Sequence, residues 1–153
     1  GEPTELAAHA VRIGLTEIPR ECSFARAVRW ALATAPKIRN YKQARAAVDR
    51  KFARMHQVHA INNACLTIWG VNIGGTDFTK VISETVAMGL DNDCTAATAG
   101  SIVGAVVGRK GVPPHWHKRF NNTVHSYLIK RRKFTIDGLV TRFARQARRG
   151  WEK

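Results

Sequence analysis

Apolar residues recur at three- and four-residue spacing through most of this chain, the pattern of helices that bury one face. Thr4 to Gly14 carries Leu6, Ala7, Ala10, Val11 and Gly14 on one stripe, with Thr4 placed to cap it. "LTEIPRECSF" is a connection broken at Pro19. Ser23 then caps a second helix, with Phe24, Ala27, Val28, Ala31 and Leu32 inward and Pro36 ending it. Tyr41 to Met55 turns Ala44, Ala47, Val48 and Phe52 inward and basic residues outward. Ala60 to Val71 is apolar on most sides, which predicts a buried helix. "NIGGTDF" is a turn, and Phe78 to Met88 repeats Val81, Ile82, Thr85 and Val86. Asp93 to Val107 is a helix of small residues, followed by a "GVPPHW" loop. "HSYLIKRRKFTI" reads as a short hairpin or an irregular excursion. Ile136 to Arg149 is a basic amphipathic helix with Leu139, Val140, Phe143 and Ala147 inward. The expected fold is therefore an all-α bundle, a single domain over residues 1–153, with at most a short hairpin near the C-terminus.

The small-residue helix adds a packing expectation. Gly100, Gly104 and Gly108 recur every four residues and so share a face. Each glycine costs about 1 kcal/mol relative to Ala in a helix. Close approach of another backbone offsets that cost, which predicts a central helix pressed against its neighbours.

Charge changes the picture. The net charge is +14 and the pI is near 10.7, which calls for a polyanionic neighbour such as nucleic acid, an anionic membrane or an acidic protein. The excess is local. Of 25 Lys and Arg, thirteen follow Val106, against only Asp137 and Glu152. Three cysteines, Cys22, Cys65 and Cys94, with no paired spacing fit a reducing, intracellular compartment and no disulfide framework. The longest uncharged run, Cys94 to Gly108, is shorter than the roughly 20 residues that span a bilayer, so no membrane span is expected.

Candidate chemistry gathers where the small-residue helix begins. Asp91 and Asp93 stand two residues apart there. One reading makes them caps that accept from free amides and gain from the helix dipole. The other makes them ligands, since two close carboxylates repel unless a cation or protons intervene, and oxygen donors suit Mg²⁺ or Ca²⁺. His56, His59, His115, His117 and the cysteines match no standard zinc spacing. Trp116, after two prolines, reads as a packing anchor.

Four stretches share an order with a known family: His59 to Ala64 ("HAINNA"), Gly75 to Phe78 ("GTDF"), Gly89 to Gly104 ("GLDNDCTAATAGSIVG") and Val112 to Trp116 ("VPPHW"). In that order and spacing the chain resembles the C-terminal half of the ADP-ribosylglycohydrolase family, over most of residues 5–145. "LTEIPRECSFARAV" is similar to the segment upstream of these in the family. The resemblance implies an all-α fold with two Mg²⁺ ions in a central cleft, and hydrolysis of the glycosidic bond of ADP-ribosylated substrates. It places Asp91 and Asp93 on the metal, with Cys94 where the family often has a hydroxyl ligand. It makes Asn62, Asn63 and Asn92 candidates for substrate binding, although buried, hydrogen-bonded polar residues are the alternative for Asn62 and Asn63. The family's other acidic motif and the catalytic residues belong to an N-terminal half. These 153 residues do not include that half, which is expected on a separate chain or on a longer one, or to have been lost in a reduced relative.

The basic end, residues 109–153, supports a second class of function. Lys130, Arg131, Arg132 and Lys133, with Arg142, Arg145, Arg148 and Arg149, are placed to track phosphates. Tyr127, Phe134, Phe143 and Trp151 interleave with them as bases would require for stacking. In this reading the chain is an inactive relative serving as an RNA-binding component of a ribonucleoprotein assembly such as a ribosome.

Overall fold

The computed structural model describes residues 3–151, with side chains from residue 8 onward. The expected Thr4 cap and the Leu6 and Ala7 side chains lie outside the described residues. The chain divides into two compact units, Gly1–Val112 and Pro113–Lys153.

The first unit is all helix: α1 (Pro3–Gly14), α2 (Ser23–Thr34), α3 (Tyr41–Lys51), α4 (Ala60–Gly74), α5 (Phe78–Ala87) and α6 (Asn92–Gly111), with short 3₁₀ turns after α1 and α2. The expected helices are present, with shifts at the ends. The cap of α2 is Cys22, whose Sγ accepts from the Ala25 amide at 3.4 Å. Ser23 is therefore the first helical residue rather than the cap. α3 stops at Lys51, and Phe52 leaves it to meet Trp30 edge-on at 5.7 Å.

The hub is α4, not the small-residue helix. α4 packs against α1, α2, α3, α5 and α6, as its apolar residues on nearly every side allow. Cys65, Leu66 and Trp69 are fully buried on it. Trp69 Nε1 donates to the Ala31 carbonyl at 2.9 Å, and Asn72 donates to Ala35 at 3.1 Å, tying α4 to α2. One apolar cluster joins α2, α3 and α4 around these residues and Met88. A second joins Val71, Val81, Ala99 and Val103, with Phe78, Ile102 and Val107 packed against it.

Glycines set the spacing, though not all where expected. The tightest approach is between α4 and α5. A Cβ on Gly74 would stand 2.5 Å from the Val81 amide nitrogen, and one on Gly70 would collide with Thr85. On α6, Gly100 faces the Ile82 side chain, not a backbone, and a Cβ on Gly104 would make only ordinary contact with Phe78 at 3.7 Å. Gly108 does not share their role: with φ 65° and ψ 176° it kinks α6. Phe24 and Val86, both expected inward, are exposed.

The second unit begins with a one-turn helix, α7 (Pro114–His117), inside the segment expected to be loop, with Trp116 half-buried. β1 (Thr123–His125) and β2 (Lys133–Thr135) form an antiparallel hairpin pairing Val124 with Phe134. α8 (Ile136–Trp151) follows directly. Asn122 secures its start: the Asn122 Nδ2 donates to Asp137 Oδ2 and the Asp137 amide donates to Asn122 Oδ1, both at 3.0 Å. Val140, Phe143 and Ala147, expected to face inward, are exposed.

Candidate metal-binding cleft

The Asp91 site is made by the turn that joins α5 to α6. Gly89 and Leu90 have φ of 74° and 61°. Glycine adopts this conformation without cost, whereas leucine there is strained by about 1–2 kcal/mol. Leu90 is held by packing its side chain on the first apolar cluster. Arg45 Nη1 donates to the Met88 carbonyl at 3.3 Å from α3. From α4, Asn63 Oδ1 accepts the Asp91 backbone N–H at 3.2 Å. Asn63 is itself fixed, because its Nδ2 donates to the carbonyls of Gln57 at 2.6 Å and His59 at 3.0 Å. Asn62 completes the support. Its Nδ2 donates to the His56 carbonyl at 3.0 Å and its Oδ1 accepts the Asn63 amide at 2.9 Å.

Asp91 occupies the N-cap position of α6, yet its side chain makes no capping hydrogen bond. The capping reading of this residue therefore does not describe what its carboxylate does. Instead Asp91, Asp93 and Cys94 each offer one donor atom, and these atoms lie within 4.8 Å of one another. Among the described residues no other His, Cys, Asp or Glu joins such a group. Hydrogen bonding to the neighbouring Asp91, with the charges of Asp91 and Asp93, pushes the Cys94 thiol above its ordinary pKa.

The donor set fits a hard cation. Mg²⁺ takes one or two carboxylates and keeps several waters, and Asp93 and Cys94 are open to solvent. A thiol is a poor donor for such an ion, so within this group the two carboxylates are the oxygen donors that suit it.

A cleft of about 550 Å³ opens beside them. α6 lines it with Asp91, Cys94, Thr95 and Thr98, and α4 with Asn63 and Thr67. Ile18, Phe24 and Val28 add apolar lining to it. The volume suits a small organic ligand. Of the three asparagines singled out from the sequence, Asn63 borders this cleft. Asn62 does not, being buried with its amide committed to the backbone, and Asn92 donates to the Val86 carbonyl at 3.3 Å outside it. Thr95, Thr98 and the exposed Phe24 escaped the sequence reading. Helical phase alone puts Phe24 in the core, and the α4 and α6 residues that line the same cleft are far away in sequence.

In the second unit the basic residues fall in two places. Lys130 to Lys133 run from the hairpin loop into β2, and Arg142, Arg145, Arg148 and Arg149 stand on α8. Arg142, Arg145 and Arg149 border a groove of about 460 Å³ with Leu128, Phe134 and Phe143.

No curated protein and no solved structure gives a significant match to this chain. The family model described as ADP-ribosylglycohydrolase matches residues 2–150, nearly the whole length. With the helical architecture and the paired carboxylates at the head of α6, that match settles the family: the chain belongs to the ADP-ribosylglycohydrolases.

Proposed function

We propose that this chain corresponds to the C-terminal half of the family fold, and that its first unit supplies one side of a Mg²⁺-dependent cleft that hydrolyses the glycosidic bond of ADP-ribosylated substrates. The observation that carries this is the Asp91 carboxylate, which stands at a helix N-terminus, is used for no cap, lies beside Asp93 and lines the cleft. The two carboxylates gather oxygen donors of the kind that a divalent ion takes. When bound, the ion supplies positive charge that orients hydroxyl groups and water. Asn63 holds the Asp91 backbone in register. Phe24, Val28 and Ile18 offer a water-excluding wall to a flat, weakly polar group such as a nucleobase. Two carboxylates make a weak site by themselves, because affinity depends on the number of oxygens gathered at one point. The other acidic ligands and the catalytic residues are therefore assigned to the N-terminal half of the family fold.

The test combines the chain with and without an added N-terminal half of a family member, and follows release of ADP-ribose from a modified protein in Mg²⁺. Turnover that needs both parts and disappears in Asp91→Asn and Asp93→Asn supports the proposal. Absence of turnover under both conditions removes it. Mn²⁺ binding by paramagnetic resonance separates lost ligation from lost chemistry.

A further inference from the structure

The second unit presents an apolar surface framed by positive charge that the hydrolytic cleft does not use. Tyr127, Leu128 and Ile129 form the hairpin loop, and Ile129 is 90% exposed. Lys130, Arg131, Arg132 and Lys133 follow them immediately. On α8, Leu139, Val140, Phe143, Ala147 and Trp151 recur at three- and four-residue spacing. Phe143 is 74% exposed and Trp151 93% exposed. Arg142, Arg145, Arg148 and Arg149 occupy the opposite sector of the same helix, their long stems able to reach past the apolar stripe. Hairpin and helix meet at the groove that holds Leu128, Phe134 and Phe143 with Arg142, Arg145 and Arg149 on its border. Arg142 lies over the Phe134 ring at 6.0 Å.

We propose that this unit docks on an anionic lipid surface, with the Tyr127–Ile129 loop and the Phe143–Trp151 stripe at the level of the acyl-chain boundary and the Lys and Arg side chains on the headgroups. Two features select this occupant. The charge is of one sign: Asp137 is the sole acid between Pro113 and Trp151, and it is bonded to Asn122 at the start of α8. The exposed apolar residues include Leu128, Ile129 and Val140, which have no ring with which to stack on a base. A polynucleotide would neutralise the arginines and leave these aliphatic chains in water. A bilayer interface takes both at once, gaining apolar burial together with about 1 kcal/mol per basic residue near an anionic surface. No helix among the described residues is long and apolar enough to cross a membrane, so the contact is with the surface.

The experiment is sedimentation of the full chain with vesicles of phosphatidylcholine alone and of phosphatidylcholine containing about 30 mol % phosphatidylglycerol. Binding is expected to the anionic vesicles only, and to fall about tenfold or more in high salt. Ile129→Asp and Phe143→Asp are each expected to weaken it about tenfold, as is replacement of Lys130 to Lys133 by Ala. Both apolar positions are exposed, so these variants keep the fold, which circular dichroism checks. Equal binding to neutral vesicles overturns the proposal, as does binding indifferent to the two aspartates. If a single-stranded RNA displaces the chain from vesicles and Ile129→Asp leaves the RNA affinity unchanged, the partner is RNA and the lipid assignment is withdrawn.

Discussion

Asn63 Oδ1 and the backbone N–H of Asp91, 28 residues apart in sequence, meet at 3.2 Å and fix where α6 begins. The same side chain donates to Gln57 and His59, so one asparagine ties the entry of α4 to the Asp91 turn. Removing it leaves the Asp91 amide and the Gln57 carbonyl without this partner, while the His59 carbonyl keeps the Asn63 backbone amide. Each buried unsatisfied group costs about 1–3 kcal/mol. Asn63→Ala is expected to lower unfolding stability by about 2–4 kcal/mol in urea titration, and to weaken Mn²⁺ binding by disordering Asp91. A loss below about 0.5 kcal/mol would mean that the turn is held by Leu90 and Arg45 alone.

Cys65 gives a pH signature. It is fully buried, and burial is the main cause of a thiol pKa raised from 9.0 to about 12, opposed by a backbone hydrogen bond and the charge of Lys51. The folded chain therefore keeps a proton that the unfolded chain gives up above pH 9. Stability contributed by this group is complete below pH 9 and is lost as the pH rises toward 12. Relative to Cys65→Ala, the wild-type chain is expected to lose stability more steeply in that window, by up to about 1 kcal/mol per pH unit. The cavity left by the substitution costs the same at every pH, so the difference in slope isolates the thiol. Parallel slopes would show that the buried thiol ionises without penalty.

Both apolar clusters lie within Gly1–Val112, and α7, the hairpin and α8 contain no buried residue. A chain ending at Val112 is expected to unfold cooperatively, within a few degrees of the full-length midpoint by calorimetry. A fall of about 10 °C or more would show that the second unit carries stability that its own packing does not display.

Helical phase was legible wherever a stripe met a partner, as in Ala44 and Val48 of α3 or Val81 and Thr85 of α5. It misled where the stripe met no partner. Phe24 and Phe143 have the right spacing to be inward, but period alone does not say what the face packs on. The acidic pair was visible because both residues are two apart in sequence. The Asn63 contact to Asp91 was not, since hydrogen-bond partners across 28 residues leave no local pattern. The choice of α4 as hub depends on which helix is apolar all round, whereas the glycine pattern of α6 pointed elsewhere.

That glycine pattern yields the sharpest contrast. Gly74 and Gly104 both sit in helices beside α5, and an alanine gains about 1 kcal/mol at either from helix propensity. At Gly74 the new Cβ would stand 2.5 Å from the Val81 amide nitrogen, an approach that only movement of α5 relieves. At Gly104 it would rest 3.7 Å from the Phe78 ring, in ordinary contact. Gly74→Ala is therefore expected to destabilise the chain by about 2–4 kcal/mol, while Gly104→Ala leaves it unchanged or up to about 1 kcal/mol more stable. Gly108→Ala separates a third cause, because its φ of 65° strains any L side chain although nothing crowds the position. Its expected cost is about 1–2 kcal/mol from backbone conformation alone. Equal effects at Gly74 and Gly104 in denaturation experiments would contradict the close α4–α5 approach on which the position of the Asp91 turn depends.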